Sequence, residues 1–288
     1  MCRLVFIWGM TSAPVTVLTG RFRTLVDAGP LRVILTDEPS AIAAAQRLRY
    51  TVFAAEPGFA DTIGDYESGR DADHFDAHCE HLLAWHDDHG LIGCARLLPP
   101  PRAIAAGGWY SSGEFDLSEL DEIAPATVEM GRACVLDGHR HGSVTALLWA
   151  ALFRHLDETG YRYVMGSVSV PLGDTAIRIA GHPAARGSLL RGVRDVVAQR
   201  HRADWQAYPH VRARIDGVLL DEIEPPASVT MPPLMRAYLR LGAKIGGEPA
   251  VDSAFDVGDF LTVLDTRTAN ARYLDRLRDS VARLGGAR

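Results

Sequence analysis

The chain has 288 residues, 47% of them apolar, and a formal charge of −6. That much apolar material can bury one large core or two modest ones, and the negative balance argues against nucleic acid as a partner of the whole chain. Four scattered cysteines, Cys2, Cys79, Cys94 and Cys134, form no C-x-x-C pair, which excludes a disulfide framework and a zinc knuckle and fits a reducing cytosol.

The apolar run Leu4–Met10 is too short for a signal-peptide core, and no stretch approaches a transmembrane span. The expectation is a cytoplasmic protein, with peripheral contact at the inner face of a membrane left open. Met1 and Met10 are both candidate starts. Residues 1–30 read as an N-terminal extension, disordered in part, and 31–288 as a single domain with a basic helical insertion at about 183–228.

In chain order, Leu31–Thr36 is a short strand after the Gly29-Pro30 turn, and Pro39-Ser40 opens a helix that runs to about Phe53. Glu56–Arg70 is polar and Gly-rich, a loop suited to lying over a site. Asp71–His81 is rich in Asp and His, but as a strand entry it keeps no tetrahedral ligand spacing. No metal site is expected there, and Asp73 and Asp76 are candidates for gripping a cationic amine. His81–His86 and Leu91–Leu98 form a hairpin about the Asp87–Gly90 turn. Glu114–Leu120 is a short amphipathic piece.

Thr127–Val135 alternates apolar residues around Glu129 and Arg132, which predicts a buried central strand. Charges inside such a strand are costly unless paired or used. Positions three apart face opposite ways in a regular strand, so a bulge at Gly131 is needed to bring both to one face. Either the pair is a salt-bridged core element, or a carboxylate, a freed N–H and a following helix N-terminus make a site suited to acyl transfer. The helix Val144–Thr159, capped by Gly160, leads to a strand at Tyr163–Val170, a parallel βαβ unit. Residues 186–214 carry seven arginines against Asp195 and Asp204, a net of +5. That is either a solvated helix face or a landing patch for an acidic partner. Met231–Gly242 is a helix with prolines at its start, Phe255–Leu264 a last strand, and Asn270–Leu284 a C-terminal amphipathic helix.

With these residues in place, the chain resembles the GNAT acyltransferase superfamily, and within it the ornithine N-acyltransferase, hemolysin-like branch. Acyl-homoserine-lactone autoinducer synthases are more distant relatives. The resemblance covers about residues 31–275 and rests on Arg49-Tyr-x-Val-Phe53, Asp73-x-x-Asp76, Gly93-x-x-Arg-Leu-Leu-Pro99, Glu114-Phe-Asp-Leu117, Glu129-x-Gly-Arg132 and Pro232-Pro-Leu-x-x-x-Tyr-Leu-x-x-Gly242. It implies an α/β fold of GNAT type, with a mixed, largely antiparallel central sheet, a bulged central strand and flanking helices.

The resemblance also implies an N-acyltransferase with direct attack of an amine on a thioester. It picks out Arg49, Phe53, Asp73, Asp76, Arg96, Phe115 and Arg132 as acceptor-binding positions. Glu129 becomes the candidate general base. Tyr238 is either the proton donor to the leaving thiol or a core residue. Arg49, Arg96 and Arg132 either clamp an acceptor carboxylate or brace Asp73 and Asp76. Donor contacts fall on Val135, Arg140, His141, Gly142, Ser143 and Ser169, and Cys134 is a core thiol. The loop 138–144 keeps few of the family's glycines and places Val144 where pyrophosphate cradling calls for a small residue. The implied co-substrate is therefore an acyl-carrier-protein pantetheine thioester rather than acyl-coenzyme A, with no tightly bound cofactor, and the carrier protein would dock on the Arg-rich segment 186–214. Two alternatives are an acetyl-coenzyme-A N-acetyltransferase and a non-catalytic acyl or carrier-protein binding module.

Overall fold

The computed structural model describes residues 21–55, 67–140, 142–173, 178–179 and 182–286. The apolar alternation of the sequence gathers into one nine-stranded sheet among these residues. Its strands are β1 (Arg23–Ala28), β2 (Leu31–Thr36), β3 (Glu80–His86), β4 (Gly90–Leu98), β5 (Thr127–Val135), β6 (Tyr163–Pro171), β7 (Lys244–Ile245), β8 (Ala250–Asp252) and β9 (Val257–Asp265). The order is β1-β2-β3-β4-β5-β6-β9, with β7 and β8 sharing the outer edge of β9. Every pairing in this sheet is antiparallel except that of β5 with β6.

The expected hairpin and the βαβ unit are both present. β1 was not expected. It pairs with β2 across the tight turn at Gly29 (φ 70°), so the sheet starts within the stretch read as an extension. Residues 1–20, the loop at 56–66 and His141 lie outside the described residues.

The helices are α1 (Pro39–Phe53), α2 (Pro100–Ala105), α3 (Ser143–Thr159), α4 (Ser188–Arg200), α5 (Pro233–Leu241) and α6 (Ala271–Gly286). None of those described is long and apolar enough to cross a membrane. On one face of the sheet, Leu147, Leu148 and Leu152 of α3 pack with Leu82, Leu97, Val128 and Val164. Tyr273, Leu274, Leu277 and Val281 of α6 close the same cluster, which also holds Leu25 and Ala28 of β1. On the opposite face, Ala45, Leu48 and Val52 of α1 cover Ile34, Leu83, Cys94 and Cys134. Within the basic segment, Leu190, Val193 and Val197 of α4 pack on Val168, Val170 and Phe260.

Two local features open the middle of the sheet. Parallel pairing joins Thr127–Glu129 to Tyr163–Met165 and stops there, so β5 and β6 separate beyond that point. On β5, Cys94 pairs with Cys134 and Arg96 with Gly131, which leaves Arg132 and Ala133 facing the single residue Ala95. This is a bulge one residue beyond the expected Gly131. Arg132 sits at φ 51°, a left-handed conformation that few non-glycine residues adopt. Where the strands part, a Cβ on Gly166 would run into the Met130 carbonyl oxygen.

Gly166→Ala should therefore lower stability by about 1–3 kcal/mol by overpacking. Gly131→Ala is the control, because a Cβ there meets nothing within 4 Å. Urea midpoints of both variants measure the difference, and equal midpoints would remove the close approach as a constraint.

Candidate active site

The α1 face of the opened sheet is polar, and most of its charges satisfy one another. Arg49 on α1 is buried, at 1% exposure. Its Nε donates to Asp71 Oδ2 at 2.8 Å, and Nη1 and Nη2 donate to the two oxygens of Asp76 at 2.9 and 2.7 Å. Arg96 on β4 is also buried and donates to Asp73 Oδ1 at 2.6 Å and to Asp76 Oδ1 at 3.1 Å. Burial works to raise the Asp76 pKa, but the Arg49 guanidinium outweighs it and holds the carboxyl well below the usual range. Of the two roles expected for Arg49 and Arg96, the geometry fits bracing. Asp76 is spent on that bracing, so its carboxylate does not present itself to an amine.

Glu129, the expected base, is fully enclosed on β5. Both its oxygens are taken: Oε2 accepts the Tyr110 N–H at 2.7 Å, and Oε1 accepts the Ser111 N–H at 2.8 Å and the Ser111 hydroxyl at 2.6 Å. Burial pushes its pKa up despite these donors. The arrangement pins the turn at Tyr110–Gly113 over the sheet, and no ion pair joins Glu129 to Arg132 among the described residues. Phe115 is buried against Met165 and Leu261, and Phe53 packs at the edge of the α1 cluster.

Arg132 differs from its two neighbours. It lies over the rings of Tyr110 and Phe255, 5.4 and 5.6 Å from their centroids. Its nearest carboxylates, Asp71 and Asp73, stand 3.5 and 3.9 Å away. Its buried Nε has no hydrogen bond, and neither has Asp73 Oδ2. Across the opening, carboxylate oxygens of Glu114, Asp252 and Asp259 lie within 4.8 Å of one another. Burial and mutual repulsion raise Glu114 to about 7, and burial raises Asp259 to about 6. Ser169, expected to touch the donor, instead donates its hydroxyl to Asp259 Oδ1 at 2.6 Å. The opening therefore has a cationic lip on β5 and an anionic lip formed by Glu114 after the 110–113 turn, Asp252 on β8 and Asp259 on β9.

A family profile for the acetyltransferase (GNAT) domain matches residues 48–150. The chain is 30% identical to L-ornithine N(alpha)-acyltransferase from Brucella abortus over 255 residues, which span 85% of this chain and 88% of that protein. It is 31% identical to the protein of that name from Rhizobium meliloti over 281 residues, 94% of this chain and 90% of that protein. The chain belongs to the GNAT family of N-acyltransferases. A solved CoA-dependent acyl-homoserine lactone synthase is similar over 84% of this chain and 83% of its own, at 15% identity and a TM-score of 0.49.

On the other face of the acyltransferase sheet, the loop after β5 turns at Gly138 (φ 82°) and Gly142 (φ 88°) into the start of α3. Arg140 is exposed and its Nε donates to the Val135 carbonyl at 3.1 Å, Gly142 is exposed, and Ser143 is half-buried. Val144 does not crowd this loop as expected: it is buried, and faces Gly93 so closely that a Cβ there would lie 2.9 Å from its Cγ1. Val144 thus leaves the α3 start uncrowded, and a helix start of this kind favours anions. Tyr238 on α5 is half-buried, packs edge-on against Trp149 at 5.0 Å, and burial pushes its hydroxyl up to about 12.

The basic segment is not a bare positive patch. Arg186 pairs with Asp216 and Asp256, Arg191 with Asp195, Arg194 with Asp195, Asp221 and Glu248, and Arg212 with Asp221. Arg200, Arg202 and Arg214 remain exposed without an acidic partner among the described residues. Sequence reading also missed the anionic lip and the Tyr110–Ser111 turn. Their residues come from separate segments, and only the mixture of Glu114 with apolar neighbours hinted at one of them.

Removing the Asp76 charge would leave two buried guanidiniums with one carboxylate each, so Asp76→Asn should cost about 3 kcal/mol at pH 7. A carboxyl held below its unfolded pKa stabilises above that value, about 3.9, and the contribution fades as pH falls toward the folded pKa. The gap between wild type and variant in urea unfolding should therefore narrow from pH 7 to pH 3. A gap independent of pH would mean that the Asp76 charge is not what holds the network.

Proposed function

We propose that this N-acyltransferase moves an acyl chain from a phosphopantetheine thioester to the α-amine of ornithine. The carrying observation is the opening between β5 and β6, with the bulge and Arg132 on one lip and Glu114, Asp252 and Asp259 on the other. An amino acid with a second amine matches that polarity: its carboxylate meets Arg132, and its side-chain ammonium meets Asp252 and Asp259 of the acidic lip. The curated relatives at 30–31% identity carry ornithine in their names, which supports the same acceptor.

In this reading the thioester reaches through the opening from the α3 face, with its phosphate at the loop 138–143. The residue left out of the ladder by the bulge offers its N–H to the thioester oxygen, and one such donor is typically worth about 3–4 kcal/mol to a tetrahedral intermediate. Tyr238 keeps its proton near neutral pH and supplies it to the leaving thiolate. Glu129 serves by fixing the turn that carries Tyr110, whose ring lies under Arg132. Transfer is direct, and Cys134, buried in the α1 cluster, takes no part.

Exposed Arg200, Arg202 and Arg214 support an acidic carrier protein as donor. The open α3 start, free of Val144, favours the second reading, acyl-coenzyme A. Parallel kinetics with both donors decides between them, and mass analysis of the product identifies Nα-acyl-ornithine. Norvaline, which lacks only the side-chain amine, should be used at least about a hundredfold less well in kcat/KM, because it leaves the half-buried to buried carboxylates of the lip without a cation. Equal use of norvaline would end the diamino-acid reading.

Reversing Arg200 and Arg202 to Glu should raise KM for a carrier-protein donor several-fold and leave KM for a minimal pantetheine thioester unchanged. The effect should fade with added salt, since exposed charges are screened over about 8 Å at physiological ionic strength. Equal losses with both donors would mean a damaged fold rather than a lost docking surface.

A further inference from the structure

An ammonium cannot attack a thioester until it loses a proton, and the α-amine of an amino acid is mostly protonated near neutral pH. Glu129 is poorly placed to take that proton, since both its oxygens are already hydrogen-bonded and three donors fill three of its roughly four lone-pair sites. The base has to stand elsewhere in the opening. We infer that Glu114, on the anionic lip, is the catalytic base that takes the proton from the attacking amine. This rests on the acyltransfer reading above and adds the residue that starts the chemistry.

Glu114 lies at the end of the turn that Glu129 pins, between Gly113 and Phe115. Phe115 is buried under it and pairs with Pro209, and the Glu114 carbonyl accepts the His210 N–H at 2.9 Å, so the backbone is fixed on both sides. Its Oε2 is buried and has no hydrogen-bond partner. The Ser167 hydroxyl on β6 faces the carboxyl without closing a bond of good geometry. Asp259 on β9, Asp252 on β8 and Glu129 on β5 surround it with like charge, and Tyr110 and Arg132 complete the wall. An enclosed, unpartnered oxygen among carboxylates is what a proton acceptor for a cation requires, and Glu129, with N–H and O–H donors on both oxygens, is the opposite.

The proton balance is complete without another reagent. The ammonium gives its first proton to Glu114, and the freed lone pair forms the C–N bond to the thioester carbonyl. Collapse of the tetrahedral species breaks the C–S bond, Tyr238 protonates the leaving thiolate, and the second amine proton restores the Tyr238 hydroxyl. Products are the amide, the thiol and one proton, which Glu114 returns to water.

Burial first, then Asp259 and Asp252, push the Glu114 carboxyl up to about 7. The active form is the ionised one, so kcat/KM should fall as pH drops below that value. Kinetics across pH 5.5–9, with whichever amine of an ornithine, lysine and putrescine panel the wild type acylates, provides the test. A wild type that ignores ornithine sinks the ornithine reading and leaves this test standing. Glu114→Gln should lose at least about a hundredfold in kcat/KM at pH 7.5 and lose the acidic limb, with the donor KM little changed. Glu114→Asp should recover part of the rate and keep the limb. Near-wild-type turnover in Glu114→Gln, or an unaltered acidic limb, would overturn the assignment. Should Glu114→Gln fail to fold, carbon-13 carboxyl titration of glutamate-labelled wild type, with the resonance assigned by its absence from Glu114→Asp, gives the answer. Titration near 7 supports the assignment and titration near 4.5 overturns it.

Discussion

Arg49 keeps a full positive charge where water does not reach, and much of the α1 face follows from satisfying it. Desolvating a guanidinium costs several kcal/mol, which only close carboxylates with good geometry offset. Asp71 and Asp76 supply them, and Asp76 then also recruits Arg96 and Gln46. The result ties α1, the turn at 71–78 and β4 into one unit. Because Arg49 and Arg96 already hold Asp71 Oδ2 and Asp73 Oδ1, Arg132 is left with loose partners and an unbonded Nε. Structural pairing of two arginines is what leaves the third available to a ligand.

The two glutamates of the opening show how neighbours decide the fate of a residue type. Glu129 meets three donors and becomes a fixed strut. Glu114 meets two aspartates and a weakly placed hydroxyl, and burial with like charge pushes its carboxyl up. Each is enclosed; what differs is the supply of N–H and O–H groups. Under the proposed reading, opposite polarity on the two lips would orient an amino acid before any acyl group arrives, which lowers the entropic part of the barrier.

Much of the framework was legible because it rests on local pattern. Period-two alternation marked β2, β5 and the β3–β4 hairpin, and the apolar stripe with Gly160 marked α3. β1 escaped because it is short, mixes Arg, Thr and Asp with its apolar residues, and is recognisable only beside β2. The arginines and aspartates of the α1 face were found by resemblance, but burial and pairing decide their work, and both are tertiary facts. Charge counting misjudged the basic segment because Asp216, Asp221, Glu248 and Asp256, which pair with its arginines, lie beyond it. The anionic lip joins residue 114 to residues 252 and 259, a separation that no local pattern can register.

The packing of α6 against the β1 end of the sheet has a consequence for biogenesis. Among the described residues the cluster between sheet and α3 runs from Leu25 to Val281, so the whole stretch between them must emerge from the ribosome before that core can close. Until then the apolar side of α3 and β1 has no cover, and contacts of such long sequence separation form slowly. The nascent chain passes through a period when chaperones have a surface to hold, and a truncation at either end of the described core would expose the same patch.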